Sequence, residues 1–346
     1  MHGQLIVMFQ DGGEYMSGFK NVVGHKDIIT YIENAVQSHN VSHAYILNGD
    51  KGAGKKMLAK LFAMSIQCET PEEDGDACGE CHSCKQALSG NNPDIITVIP
   101  EKPGVVGISD IRTKVVSDVE IRPYACKYKV YIIPDADKMT EAAQNALLKT
   151  IEEPPEYAVI ILLTQNADIL LPTIRSRCVM LKLRNIKDTL VKKYLMEQMH
   201  VPDYKADVCT AFAQGNIGKA VMLANSEHFN DIKEEVVHLM RNIDEMDLDE
   251  VMEAVKRCSE FKIDIADYFD VMSIWFRDVL IYKATKNVDR VVFSDQLRYI
   301  KNRASKSSYE GIEEIITAID TAKTRLKSNV TFELTMELLL LTIKEN

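Results

Sequence analysis

Two groups of residues in this sequence have the types and spacing to do chemistry. The first is Gly49-Asp50-Lys51-Gly52-Ala53-Gly54-Lys55-Lys56. Glycines at this spacing let backbone N–H groups converge on an anion, and the lysine after the last glycine meets the β- and γ-phosphates of a nucleotide. In the G-x-x-x-x-G-K-S/T pattern the next residue is a hydroxyl that holds Mg2+. Here that residue is Lys56. The loop keeps an anion nest and its first lysine but has lost a metal ligand, so phosphate binding is compatible with it and hydrolysis is not expected. The second group is Cys68, Cys78, Cys81 and Cys84, spaced C-x9-C-x2-C-x2-C, half of the eight cysteines of the chain. Four soft thiolates this close suit tetrahedral zinc, with sulfurs about 2.3 Å from the metal. The ferredoxin-type cluster spacing, whose last pair lies three residues apart and is followed by proline, is not met, because Lys85 follows Cys84. Free thiols are the remaining reading. Four protein ligands leave no open position, so a metal here is expected to be structural.

These groups need elements to position them. Ala44 to Leu47, Ile95 to Ile99, Val130 to Ile133, Ala158 to Thr164 and Val179 to Leu183 are short apolar runs of the kind buried in a parallel sheet. Lys55 to Gln67 and Glu141 to Glu152 have helical spacing, the second stopped by Pro154 and Pro155. The glycine-rich loop therefore follows a strand and opens a helix, the context a phosphate-binding loop requires. In such a fold the strand Val130 to Ile133 should end in an acid that orders Mg2+ and one that activates water. The residues there are Pro134, Asp135, Ala136 and Asp137, which also suit a plain strand-end turn. Past about Arg184 the pattern becomes helical, as in Ile312, Ile315, Ile316 and Ile319 on one face of an amphipathic helix. Gln214 to Gly218 and the polar stretch Asn225 to His228 suggest breaks between a small helical unit and a larger one. Cys126, Cys178, Cys209 and Cys258 are scattered and read as packing residues; His43 and His82 read as structural.

With 346 residues, two or three domains are expected. A hydrophobic fraction of 46% and a charged fraction of 27% exclude disorder, collagen-like repeats and a disulfide-rich miniprotein. The net charge of -10 argues against an autonomous DNA binder that works mainly by neutralising phosphates. No apolar run approaches the roughly 18 residues of a membrane span. Met1 to Met16 lack the basic start and cleavage site of a signal peptide, and Met16 could be an alternative start. The expected compartment is the cytoplasm, where thiols stay reduced and available to metals.

Taken together, Ser42-His43-Ala44-Tyr45, the altered loop, the four-cysteine insert, the run Asn145-Ala146-Leu147-Leu148-Lys149-Thr150-Ile151-Glu152-Glu153-Pro154-Pro155 and Ser176-Arg177-Cys178 resemble the bacterial replicative clamp loader. Its family is AAA+, ATPases whose active sites are shared between adjacent subunits of a ring. The resemblance runs from about Gly18 to the C-terminus. It implies an N-terminal extension over 1–16, an α/β AAA+ domain with a parallel sheet and a zinc insert over 17–184, a helical lid over 185–226, and an all-α collar for oligomerisation over 227–346.

The resemblance also implies roles. Gly49, Gly52, Gly54, Lys55 and Lys56 form a degenerate nucleotide site, and Thr164 falls at the γ-phosphate sensor position. Arg177 matches the arginine that reaches into a neighbour's ATP site, and Gly218 stands where the ATP-hydrolysing gamma/tau relatives carry a lid arginine. The implied partners are gamma/tau and delta subunits in a heteropentamer, with the sliding clamp and primer-template DNA reached through the complex. The implied cofactor is structural zinc, and whether ATP binds is left open. The expected function is a non-hydrolysing subunit of a DNA polymerase III clamp loader. The alternative is a self-sufficient zinc-containing phosphate-loop ATPase acting on nucleic acid.

Overall fold

The computed structural model describes residues 18–288, 290–328 and 330–346. The expected N-terminal extension over 1–16 lies outside the described residues. The chain folds as two compact units, one running to Tyr194 and including Gly215–Gly218, the other made of Leu195–Gln214 and Lys219–Asn346.

In the first unit α1 (Lys26–Gln37) precedes β1 (Ala44–Asn48), and the glycine-rich loop leads into α2 (Lys55–Ile66). The cysteine insert ends in α3 (His82–Ser89) and is followed by β2 (Ile95–Thr97). A short α4 (Ile108–Ile111), continued by a π turn to Val116, precedes β3 (Lys129–Ile133). Then come α5 (Glu141–Glu152), β4 (Ala158–Thr164), α6 (Pro172–Arg175) and β5 (Val179–Lys182). The sheet order is β2-β3-β4-β1-β5, and every pairing is parallel. β1 lies between β4 and β5, with Asn48 opposite both Thr164 and Lys182.

Strand residues alternate between two cores, as a period of two requires. Tyr45 and Leu47 pack with Leu58 and Phe62 of α2, while Ala44 and Ile46 pack with Ile111 and with Leu147 of α5. β4 is buried along all seven residues. The expected strand Ile95 to Ile99 is shorter: Val98 N–H still reaches Ile132 O at 2.9 Å, but Ile99 turns outward and is 62% exposed. β2 and β5 are sheet edges and only partly buried, so their apolar runs do not mean burial on both faces. α5 spans the expected residues: the Thr140 hydroxyl accepts from Ala143 N–H at 3.2 Å and caps its start, and Pro154 forbids its continuation.

Beyond β5 come α7 (Asp188–Glu197), α8 (Asp203–Ala213), α9 (Ile217–Asn225), α10 (Glu227–Asn242), α11 (Leu248–Glu260), α12 (Ile265–Thr285), α13 (Leu297–Lys306), α14 (Tyr309–Lys327) and α15 (Phe332–Glu345). Only Ser226, whose side chain caps α10 through Phe229 N–H, separates α9 from α10. In the second unit α12 packs against α10, α13 and α14, and α15 against α11 and α14. Tyr268, Trp275, Phe276 and Phe293 form its buried aromatic centre. Ile312, Ile315 and Ile319 are buried as the periodicity predicts, and Ile316 is half-buried. The Arg303 guanidinium is buried there, held by the Asp244 carboxylate and the Ile343 carbonyl.

Candidate functional site

The glycine-rich loop leaves β1 at Asn48 and enters α2 at Lys55. Gly52 and Gly54 have φ of 89° and 90°, a region open to glycine and costly for other residues. Gly49 N–H donates to Thr164 O at 3.1 Å, joining the loop to the end of β4. The Lys55 ammonium folds back on its own loop: it donates to Gly49 O and, at 2.8 Å, to Asp50 O. Burial lowers its pKa, against the pull of Asp137, Asp50 and Asp135. Lys56 is exposed.

A second segment of the same unit lies directly on the loop. Gly218 N–H donates to Gly52 O at 3.1 Å, and Asn216 Nδ2 donates to Lys51 O at 2.8 Å. A Cβ at Gly218 would stand 2.4 Å from Gly52 O and 2.8 Å from Gly52 Cα, so no residue with a side chain fits without moving the loop. From the sequence, Gly218 reads as the end of a glycine-containing break and as the place of a missing arginine, not as a contact with the loop. The signal available was a glycine in the first turn of a helix, where it costs stability unless backbone must approach closely.

At the end of β3, Pro134 follows the strand and Asp135 adopts a left-handed φ of 50°. Asp135 pairs with Lys138 at 3.4 Å, and Asp137 accepts from Gln165 N–H at 3.3 Å. Thr164 is fully buried, and its hydroxyl oxygen accepts from Asn166 N–H at 3.1 Å. The loop and Thr164 are therefore brought together, with the hydroxyl oxygen engaged in a local turn.

Arg177 lies apart from the loop, in the turn between α6 and β5. Its Nη1 donates to Thr173 O at 3.1 Å and to Ser176 Oγ at 3.2 Å, and its Nη2 lies 3.1 Å from Glu152 Oε1 at the end of α5. The side chain is 42% exposed. Glu152 belonged to a recognised run, but its pairing with Arg177 was not read from the sequence. Cys178 beside it is half-buried, and burial pushes its thiol up to about 12.

The four cysteines of the insert converge. Cys68 Sγ lies 3.5 Å from Cys78 Sγ and 4.0 Å from Cys81 Sγ, Cys78 Sγ lies 4.0 Å from Cys84 Sγ, and all four lie within 4.8 Å of one another. A tetrahedral site with metal–sulfur bonds of about 2.3 Å needs sulfurs about 3.8 Å apart, so the set fits a metal such as zinc. Backbone N–H groups point at three of the sulfurs: Cys78 N–H at Cys68, Cys81 N–H at Cys78 and Cys84 N–H at Cys81, at 3.4, 3.3 and 3.4 Å. Such donors stabilise thiolates. Burial opposes ionisation of Cys78, but hydrogen bonds from Thr70, the Cys81 and Glu80 backbone and Cys68 outweigh it and bring the thiol down to about 6. Burial pushes Cys68 and Cys84 up.

The insert is tied to the start of the described chain. The buried Asp76 carboxylate accepts from Phe19 N–H at 2.7 Å, and Lys20 Nζ reaches Glu72 at 2.6 Å. Of the other cysteines, Cys209 and Cys258 are buried as expected, while Cys126 is only half-buried, 3.4 Å from Ser83 Oγ. His43 is anchored through Nδ1 to Ala158 O at 3.1 Å. No described helix is long and apolar enough to cross a membrane.

Comparison with known proteins gives consistent results. The family described as DNA polymerase III, delta subunit, matches residues 24–187, and its C-terminal counterpart matches residues 238–345. DNA polymerase III subunit delta' of Bacillus subtilis is 30% identical over 328 residues, covering 92% of this chain and 95% of the relative. DNA polymerase III subunit tau of the same organism is 31% identical over 296 residues, covering 79% of this chain, which spans about half of that relative (52%). Among solved structures, a DNA polymerase III gamma subunit-related protein of Thermotoga maritima aligns with 20% identity and a TM-score of 0.47, covering 92% of this chain and 98% of that one.

Proposed function

Because the chain belongs to the DNA polymerase III delta'-subunit family of clamp-loader proteins, we propose that it is a member of that complex which hydrolyses no ATP itself and lends Arg177 to a neighbour's ATP site. The observation that carries the first half is the packing of Gly218 on Gly52, with Asn216 on Lys51 and the Lys55 ammonium on the loop's own carbonyls. The lysine that should meet phosphate is engaged on the loop's own carbonyls, and the close approach of Gly218 leaves no room there for a side chain that could reach a nucleotide. Lys56 in place of the Mg2+ hydroxyl and Pro134 at the strand end remove further contacts on which phosphoryl transfer depends. The second half rests on a planar, always-charged fork, half-exposed and fixed by its turn.

In this reading the partners are gamma/tau-type and delta-type subunits in a heteropentamer, and the clamp and primer-template DNA are met through that assembly. The helices after β5 supply a lid (185–226) and a collar (227–346). Zinc held by Cys68, Cys78, Cys81 and Cys84 folds the insert and supplies no chemistry beyond that. Two assays test the proposal. The purified chain should show no ATP turnover; turnover that disappears in Lys55→Ala would instead favour a self-sufficient ATPase. A complex reconstituted with the ATP-binding subunits should assemble normally with Arg177→Ala and lose part of its clamp- and DNA-stimulated hydrolysis, while Arg177→Lys restores little. Unchanged hydrolysis and clamp loading would sink the trans role.

A further inference from the structure

We propose that Glu152 is a competing partner for Arg177, holding the guanidinium on its own chain until a neighbour's nucleotide draws it away. This rests on the trans role of Arg177 set out above. Nη1 gives both of its N–H groups to the turn, through Thr173 O and Ser176 Oγ. That fixes where the guanidinium sits. Nη2 faces the Glu152 carboxylate, the acid paired with Arg177 among the described residues. A phosphate oxygen and Glu152 Oε1 would ask for donors on the same side of the fork. Two anions sharing it would stand within a few ångströms of each other, where like charges repel even under solvent screening. Full engagement of a phosphate therefore requires Arg177 to loosen its hold on Glu152.

The position of Glu152 supports a role other than helix stability. It is the last residue of α5, where exposed carbonyls disfavour a carboxylate and favour a cation. It is also 44% exposed, so packing does not explain it. Pairs this exposed are weak, which is what a releasable hold needs. Removing the carboxylate frees a guanidinium that is still steered by Thr173 and Ser176. Hydrolysis at the neighbouring site, measured without clamp or DNA, should then rise by about 1.4- to fivefold, the range such a pair is worth.

The test uses the full-length chain in a complex reconstituted with the ATP-binding subunits of the same organism. Glu152→Gln keeps the shape and one acceptor while removing the charge; Glu152→Ala removes both. Both should assemble at normal stoichiometry and raise the unstimulated kcat, with KM for ATP little changed because Glu152 touches no nucleotide. Arg177→Ala should lower hydrolysis, and Arg177→Ala/Glu152→Gln should match Arg177→Ala. If the Glu152 variants fall at or below wild type in a complex that Arg177→Ala impairs, the holding role fails and the trans role stands. A rise that persists in the double variant places Glu152's effect elsewhere and also overturns the proposal. If Arg177→Ala alone changes nothing, the trans role fails, and Glu152 has nothing to hold back.

Discussion

A Cβ at Gly218 would meet Gly52 O at 2.4 Å, a contact that only movement of the loop or of α9 can relieve. Gly218→Ala is therefore expected to destabilise the first unit by about 1–3 kcal/mol, as overpacking does, and a denaturant midpoint would register it. Gly218→Arg puts into the same space the lid arginine that the resemblance implies for this position, and it should bind a fluorescent ATP analogue no better than wild type. Tighter binding would refute the packing argument. The second residue-scale prediction concerns Asp278, buried in α12, where Oδ2 accepts from Phe293 N–H at 2.8 Å and Oδ1 has no partner among the described residues. Burial pushes this carboxyl up to about 6, against the Phe293 N–H and the Arg277 charge. A raised carboxyl favours the folded state fully only below the unfolded pKa, about 4. The advantage is lost as pH rises through 6. Asp278→Asn should flatten the stability profile between pH 4 and 7, removing a loss of up to about 3 kcal/mol. Identical slopes in wild type and variant would show that Asp278 is not the group responsible. The sequence signals a close approach at Gly218 without naming its partner, and gives no signal for Asp278. The tight approach of Gly218 and the half-satisfied carboxylate of Asp278 are made by residues distant along the chain.

Among the elements, the cysteine insert was the most legible, because the spacing of its four cysteines predicts that they converge, and their sulfurs lie within 4.8 Å of one another. Its attachments were not. Asp76 receiving Phe19 N–H, Lys20 on Glu72, and Gln37 Nε2 donating to Glu73 O at 2.8 Å link the insert to the N-terminal segment and to α1. Metal removal, or Cys81→Ser, should therefore increase hydrogen exchange in 68–90 and also in 18–21, while α10 to α15 keep their protection. Protection that survives chelation throughout the insert would argue against a structural metal. The strands were legible for the reason that the helices were: their periods are local. The edge positions of β2 and β5 were not, since an apolar run does not state how many neighbours it has. α5 was legible to the residue because Thr140 and Pro154 fix its two ends.

For the whole molecule, the division into two units gives the element- and residue-scale changes separate targets. In calorimetry of the full chain, chelation should shift the transition that belongs to the sheet unit, and Asp278→Asn the one that belongs to the helical unit. One transition that both changes move equally would mean that the units unfold as one. The sheet order has a further consequence, for synthesis. Among the described residues β1 is the first strand made, yet its neighbours are the last two, with Ala44 opposite Ile160 and Tyr45 opposite Val179. At about 5–20 residues per second, a ribosome takes roughly 6 to 23 seconds to travel from Ala44 to Ile160. Until β4 emerges, this apolar strand of the nascent chain lacks both of its native neighbours. A chain released early would carry that uncovered edge into solution, so truncated products should be insoluble and the growing chain a natural client of ribosome-bound chaperones.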